Sequence, residues 1–229
     1  MNIPYEVSCF WAPASRAINT ARLKHFNSLN LDIKDKSILE TGSGGCGDLT
    51  LNLLKHTNDI TLNDTRQSNI NFVKKRIKID LPSNNWDLNE PLPQNKKFDV
   101  VYSYGTIYHL NNPVEAIKNL SKLCNDFFII SLAGNGANSE MYLKYEKGND
   151  QSTTSIGCRC GRNWIKNELK KYFKYVYFPI SQPDHPDFHK DWSGTLPIPT
   201  MRNVRFVIIG SHKKLNNSNL ITKTPNVYN

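Results

Sequence analysis

Short apolar runs alternate with amphipathic segments through the first half of the chain. The apolar runs have the length of buried strands and occupy residues 37–40, 59–64, 98–104 and 127–132. Apolar positions recur at helical spacing in residues 14–30, 49–55, 66–79 and 114–123. Such alternation is typical of a parallel or mixed sheet with helices on both of its faces. The pattern therefore predicts an α/β fold.

The second half of the chain combines further strand and helix patterns with two long loops. A helix is predicted over residues 163–173, and closing strands are predicted over 175–180 and 205–211. Residues 133–160 carry much Gly, Asn, Ser and Thr, which predicts an irregular insertion. Residues 181–203 are rich in Pro, His, Asp and Trp. Long loops in compact domains are more often functional than idle.

Length and composition fit one domain with a sizeable core. The chain has 229 residues, of which 38% are hydrophobic, and its mean hydropathy is -0.53. We expect a single domain over residues 1–212, with residues 1–30 as an N-terminal helix or lid and residues 213–229 as a disordered tail. The apolar runs are too short to span a bilayer, and the N-terminus lacks the apolar region of a signal peptide. A cytoplasmic location is therefore expected.

The five cysteines are scattered, and only Cys158 and Cys160 lie close together in sequence. One residue between two sulfurs is not the usual spacing of a zinc site. We therefore expect reduced thiols, no disulfide framework and no structural metal.

The net charge of +9 raises the question of a nucleic-acid partner, because clustered cations gain affinity by neutralising phosphates. Here the lysines are spread over predicted helix faces and the C-terminal end. That distribution favours a solvated basic surface over a nucleic-acid interface.

A glycine-rich segment follows the first predicted strand, and acidic residues stand at two positions around it. Glu40 ends that strand, and Asp64 ends the next one. Glycines let the backbone pass close to a ligand and adopt positive φ. An acid at the end of the second strand can accept hydrogen bonds from both hydroxyls of a ribose. The chain lacks the Gly-Lys-Ser/Thr ending of a triphosphate-binding loop. A nucleotide-like ligand is therefore predicted.

These segments resemble the class I S-adenosylmethionine (SAM)-dependent methyltransferases. ILETGSGGCGDLT resembles motif I of that family, ITLND its second strand, and FDVVYSYGTIYHL its motif IV. The resemblance covers roughly residues 14–211. It implies a Rossmann-like sheet of seven strands with the last one antiparallel, and SAM as cofactor with S-adenosylhomocysteine (SAH) as its product.

The resemblance also implies the residues that hold the methionine part of the donor, namely Glu40, Gly42, Ser43, Gly44 and Gly47. One departure concerns this loop. The family pattern is acid-x-Gly-x-Gly-x-Gly, whereas Cys46 occupies the third glycine position here and Gly47 follows it. Either one residue is inserted or a cysteine is tolerated, and the sequence leaves both alternatives open.

The remaining donor contacts implied by the resemblance lie after the second, third and fourth strands. Asp64, followed by Thr65, is expected at the ribose. Asp87, with Trp86, is expected at the adenine. Tyr104 is expected near the sulfonium.

His109 is the candidate general base. A hydroxyl acceptor attacks a methyl group more readily when a base within hydrogen-bond reach removes its proton, and histidine is the commonest base. His109 follows the fourth predicted strand, at the carboxyl end of the sheet where open α/β proteins place their chemistry. The alternative is that His109 only packs or orders the loop.

The loop at residues 181–192 combines carboxylates, imidazoles and a Trp, which suit the hydroxyls and the C–H surface of a sugar. It also resembles a stretch in methyltransferases associated with glycan synthesis, which implies a sugar or glycan hydroxyl as acceptor. Candidate acceptor-binding residues are Trp11 and Arg16 in a lid, Tyr108, Arg159, His185, Asp187, Asp191 and Trp192. A metal at His185, Asp187, His189 and Asp191 was the alternative for this loop, but prolines interrupt the spacing, and we predict none. An RNA or tRNA methyltransferase and a non-catalytic SAM-binding subunit are the alternative functions.

Overall fold

The structure is a computed structural model, and it describes residues 7–44, 46–93, 96–136, 139–146, 153–194 and 204–229. Its helices in chain order are α1 Ser8–Trp11, α2 Pro13–Ser28, α3 Asp48–Leu53, α4 Gln67–Ile77, α5 Pro113–Leu123 and α6 Arg162–Leu169. A single 3₁₀ turn covers Ile107–His109. Each helix predicted from the sequence is present, with boundaries shifted by up to four residues. None of the helices in the described part of the chain is long and apolar enough to cross a membrane.

Ten strands form the sheet of the described residues. They are β1 Ile38–Thr41, β2 Ile60–Asn63, β3 Ser83–Asn84, β4 Phe98–Tyr104, β5 Cys124–Gly134, β6 Met141–Tyr145, β7 Ile156–Cys160, β8 Tyr175–Pro179, β9 Val204–Ser211 and β10 Leu220–Ile221. The main path runs β10-β8-β9-β5-β4-β1-β2-β3. Strands β3, β2, β1, β4 and β5 are parallel, and β9 is antiparallel to both β5 and β8. The predicted Rossmann-like fold with an antiparallel closing strand is confirmed.

The core lies on both faces of this sheet. Consecutive residues of β1 enter opposite hydrophobic clusters, since Ile38 packs with the α3–α4 side and Leu39 with the α5–α6 side. Val100 and Val101 of β4 divide in the same way. This follows from the two-residue period of a strand, and it explains why the parallel strands are continuous apolar runs in the sequence.

Two of the three strands beyond the predicted seven lie in residues 133–160, which are therefore not an irregular insertion. Strand β5 extends to Gly134, and β6 and β7 form an antiparallel hairpin beside it. Gly134 pairs with Cys160, and a Cβ on this glycine would lie 2.6 Å from the Cys160 carbonyl oxygen. The residues of β6 are largely exposed, so they show no alternation that would have predicted a strand.

Residues 213–229 also differ from the predicted disordered tail. Leu220 pairs with Pro179, so β10 covers the free edge of β8. The buried guanidinium of Arg162 donates to the Pro225 carbonyl at 2.5 Å, and Tyr228 is 4% exposed. Backbone pairing and a few apolar side chains hold this segment in place. It therefore needs few apolar residues, and its polar sequence does not show that it is ordered.

Candidate active site

The glycine loop lies at the carboxyl ends of β1, β2 and β4. Gly42 and Gly44 have φ of 60° and 61°, in the left-handed region that favours glycine. The Gly42 N–H donates to the Asn63 carbonyl at 2.7 Å, and a Cβ on Gly42 would lie 2.2 Å from the Thr106 hydroxyl oxygen. The loop is therefore pressed between the end of β2 and the turn after β4, where only a glycine fits.

The structure favours one of the two alternatives for the unusual loop. Gly47, which directly precedes α3, has φ of 67°, and a Cβ there would lie 3.3 Å from Val73. Cys46 is buried, and its sulfur accepts a hydrogen bond from the Asn19 amide at 3.5 Å. Gly47 thus has the backbone conformation and close helix packing expected of the third family glycine. The loop therefore fits an insertion of one residue, and Gly45 lies outside the described residues.

Asp64 ties the loop to the end of β2. Its Oδ2 accepts from the Gly44 N–H at 3.0 Å, and its Oδ1 accepts from the Arg66 N–H at 3.0 Å and the Asn69 amide at 3.1 Å. An ionised carboxylate has about four lone-pair sites, so one remains beside these three donors. Asp64 borders a cleft and can offer that site to a ligand hydroxyl.

This cleft, hereafter the loop cleft, has about 660 Å³ of empty space including its mouth. Its described lining includes Gly42, Gly44, Asn63, Asp64, Thr65, Arg66, Asn69, Trp86, Asp87, Leu88, Thr106 and His109. Trp86 is fixed by its backbone, because its N–H donates to the Asn63 side chain at 3.0 Å. The structure thus brings together Gly42, Gly44, Asp64, Thr65, Trp86 and Asp87 from the sequence prediction.

Four predicted donor contacts lie elsewhere. Glu40 is fully buried beneath the loop, where it accepts from the Thr50 hydroxyl at 2.8 Å, and burial raises its pKa to about 8. Gly47 caps α3. Ser43 and Tyr104 line a second cavity on the other side of the loop. Burial raises the pKa of Tyr104, and the hydroxyl group of this residue has no hydrogen-bond partner among the described residues.

The second cavity adjoins the loop cleft, and five residues line both, namely Phe10, Gly42, Gly44, Gly105 and His109. Its other described walls come from α2, the β6–β7 hairpin and β9. A group bound in one cavity and a group bound in the other would therefore meet near His109.

His109 is held by a carboxylate from the hairpin. Its Nδ1 lies 2.8 Å from Oε2 of Glu146, and Arg159 donates to the other carboxylate oxygen at 3.0 Å. Burial disfavours a charged Glu146, but hydrogen bonds and charges from His109 and Arg159 outweigh it and lower the pKa of Glu146. An ionised Glu146 fixes the imidazole ring so that its Nε2 is the nitrogen left for other contacts.

The predicted acceptor residues divide into two groups. Tyr108 and Arg159 line the second cavity. Trp11 packs edge-to-face on Phe72 of α4 with ring centroids 6.1 Å apart, and the Arg16 guanidinium lies 5.2 Å from the Trp11 ring. These two therefore anchor the N-terminal helices. Two further aromatics of this N-terminal segment are Phe10, which lines both cavities, and Tyr5, which lies outside the described residues.

The loop expected to bind a sugar is not brought to either cavity. His185 and Asp187 interact with each other, and Asp187 also binds the Arg205 Nε at 3.3 Å. The Trp192 ring is stacked under Arg162 at 3.8 Å, and Asp191 accepts from Ser193. Across the described ranges, no three His, Cys, Asp or Glu side chains gather as a metal site would require. The loop contributes to the site through Asp187 and its bond to Arg205.

Sequence reasoning missed Glu146, Arg22 and Arg205, which all line the second cavity. Glu146 lies in a segment with no motif to mark it, whereas the resemblance to glycan-associated methyltransferases includes a basic residue in the final strand without giving Arg205 a role. Arg22 carried a signal, because it falls between Ile18 and His25 on the apolar stripe of the predicted helix. A charged residue on such a stripe is a candidate for a buried functional role.

Comparisons with known proteins agree with this geometry. Residues 39–126 match a family model described as a methyltransferase domain. No curated protein matches the chain in sequence. The matched segment contains the glycine loop, Asp64, Trp86, Asp87 and His109. A methyltransferase domain uses SAM as its cofactor, so the predicted cofactor is confirmed.

Solved structures share the fold at low sequence identity. The N-terminal domain of EvdMO1, solved with SAH, is 16% identical, with 86% of this chain and 81% of that chain covered and a TM-score of 0.61. Magnesium protoporphyrin IX methyltransferase (ChlM) from Synechocystis PCC 6803, solved with SAM, is 11% identical, with 93% and 86% covered and a TM-score of 0.54. The glycopeptide N-methyltransferase MtfA, solved with SAH, is 14% identical, with 87% and 98% covered and a TM-score of 0.54.

Proposed function

We propose that this chain transfers the methyl group of SAM to a hydroxyl of a sugar or glycan, with His109 as general base. The observation that carries the proposal is the His109–Glu146 pair at 2.8 Å, which lies where the loop cleft and the second cavity meet. A methyltransferase needs a donor and an acceptor to meet at one point, and a histidine oriented by a carboxylate is suited to take a proton there.

The loop cleft fits the donor by its own chemistry. Gly42 and Gly44 line the cleft with their backbone, and Asp64 keeps a lone pair for a ribose hydroxyl. Trp86 and Leu88 offer apolar surface for a purine. SAM, when bound, supplies an electrophilic methyl group on a positively charged sulfur.

The residues of this chain then have two tasks in the transfer. The walls of the second cavity hold the acceptor so that its oxygen lies in line with the methyl group. His109 Nε2 accepts the hydroxyl proton as the oxygen–methyl bond forms. The carbon–sulfur bond breaks at the same time, and its electron pair stays on the sulfur. Glu146 stabilises the imidazolium that results.

A hydroxyl acceptor is supported by the presence of this base, because an oxygen nucleophile has a proton to lose. A sugar is supported by the resemblance noted in the sequence. The N-terminal domain of EvdMO1 was also solved in the presence of SAH and D-fucose. The proposal does not require the loop at 181–192 to touch the sugar, since the second cavity has a polar wall of its own.

The test is transfer of labelled methyl from SAM to three acceptor pools: deoxysugar-containing glycans, tRNA with free nucleosides, and small phenols. We expect label in the glycan pool. His109→Gln should lower the rate by about 10²- to 10⁴-fold, the usual contribution of a general base. Label in tRNA would contradict the acceptor, and a His109→Gln protein with wild-type turnover and pH dependence would contradict the base.

A further inference from the structure

Cationic side chains surround the second cavity in numbers that its acids do not match. Arg22 on α2 and Arg205 on β9 line it although they are 4% and 7% exposed. Arg159 and Lys144 stand on the hairpin wall, and Glu146 is the one carboxylate among the described lining residues. Burying a guanidinium is costly unless its N–H groups find acceptors. Although Asp187 and Glu146 pair with Arg205 and Arg159, buried guanidinium N–H groups of Arg22 and Arg205 have no acceptor among the described residues.

Arg22 shows this most clearly. Its Nη1 donates to the Asn19 side chain at 3.3 Å, but its Nε and Nη2 have no hydrogen-bond partner among the described residues. A Cβ on Gly105 would lie 3.1 Å from Nη1, so the turn after β4 makes room for this guanidinium with a glycine. The free N–H groups of a guanidinium form a rigid fork that matches two oxygens of a carboxylate or phosphate.

Arg205 on β9 has a similar arrangement. Its Nε is paired with Asp187 Oδ2 at 3.3 Å, which fixes the side chain. Its Nη1 is buried and has no partner within the described ranges. One side of the guanidinium is thus occupied by the protein, and one N–H group is left for a ligand.

We propose that the acceptor of methyl transfer carries a carboxylate or phosphate group, and that Arg22 and Arg205 bind this group in the second cavity. The inference rests on the proposed function, because it takes the second cavity as the acceptor side. An acidic sugar or a sugar phosphate has the required combination of an anion and free hydroxyls. With its anion on the arginines, such an acceptor is anchored in the cavity that His109 also lines.

Tyr108 is the internal group with which that anion must compete. Arg205, Arg22, Arg159 and His109 surround it, with Asp187 behind Arg205 and Glu146 behind Arg159. Burial alone would raise the pKa of Tyr108, but the positive charges of Arg205, His109 and Arg22 lower it to about 6. Above that pH, an ionised Tyr108 opposes a second anion, so Tyr108→Phe should bind anions more tightly at pH 8.

The experiment uses three probes that share one ring, namely benzoate, phenyl phosphate and neutral benzamide. Each is titrated at fixed ionic strength into SAH-saturated protein, with ligand-observed NMR as readout. We expect one or both anions to bind and benzamide not to bind. Arg22→Gln and Arg205→Gln should each weaken the anion at least about tenfold, which is the cost of losing a charge-assisted hydrogen bond. Arg205→Lys keeps the charge, and Lys118→Gln removes a surface charge from α5 as the matched control.

Three results would overturn the inference. The first is benzamide binding as tightly as either anion, and the second is anion binding that neither arginine substitution weakens. The third is a tenfold loss of SAH affinity in Arg22→Gln with unchanged affinity for methylthioadenosine, which would assign this arginine to the carboxylate of the donor. A wild-type protein that does not bind SAH would contradict the proposed function instead, and the anion titration without SAH would still decide the inference.

Discussion

Individual buried polar residues lower the stability of this fold, and the Glu40 carboxyl group is the clearest case. Its side chain is fully buried, one oxygen accepts from Thr50, and the other has no partner among the described residues. Burial raises its pKa to about 8, so the folded protein holds a proton that the unfolded chain releases near pH 4.5. Glu40 therefore stabilises the end of β1 only while its carboxyl group is neutral.

The sign of its pH dependence follows directly. Because the folded state binds more protons than the unfolded state between about pH 4.5 and 8, the free energy of unfolding falls as pH rises through this window. The contribution of Glu40 approaches about 1 kcal/mol per pH unit. Glu40→Gln should flatten that slope, as measured by urea unfolding at pH 5, 6.5 and 8. An unchanged slope would mean that Glu40 is ionised in the folded protein.

Among the elements, the β6–β7 hairpin has the largest consequence for the site. It supplies Arg159 and leads into Glu146, so it holds the carboxylate that orients His109. The hairpin packs tightly on the turn that contains His109. A Cβ on Gly157 would lie 2.4 Å from the Tyr108 carbonyl oxygen and 2.8 Å from the Glu146 carboxyl carbon.

Gly157→Ala should therefore separate Glu146 from His109. Overpacking of this kind costs about 1–3 kcal/mol or shifts the backbone, and a displaced carboxylate no longer fixes the imidazole. We expect methyl transfer to fall at least about tenfold while SAH affinity changes little, because Thr153 is the one described residue of the hairpin and its connection that lines the loop cleft. Gly194→Ala is the control, since no atom lies within 4 Å of its Cβ. Equal turnover of both variants would show that the hairpin does not position the base.

At the scale of the whole molecule, the sequence predicts the sheet and the glycine loop better than it predicts the residues of the second cavity. Strands β1, β4 and β5 are recognisable because both of their faces are buried, and Gly42 and Asp64 are recognisable because the loop geometry restricts their residue types. The second cavity, by contrast, is assembled from α2, the hairpin and β9, which are distant in sequence. Nothing local marks Glu146, and the roles of Glu146 and Arg205 depend on partners that only the fold brings near.

The loop at 181–192, which the sequence predicts to bind the acceptor, does not contribute lining residues to the two cavities among the described residues. Its acids and imidazoles formed a conspicuous cluster in the sequence, yet they mainly bind one another and the neighbouring backbone. Asp187 reaches the site through Arg205. A cluster of functional residue types in sequence therefore indicated a well-ordered loop beside the site, and the cavity itself uses other residues.

Calorimetric titration of SAH into the wild type and Asp64→Asn is the most direct test of the proposed donor site. Asp64 joins the glycine loop, α4 and the loop cleft, so we expect tight SAH binding that Asp64→Asn weakens at least about tenfold. Asp80→Asn, at an exposed carboxylate paired with Lys74, should bind as the wild type does. Absence of SAH binding by the wild type, or equal affinity in Asp64→Asn, would contradict a donor site in the loop cleft.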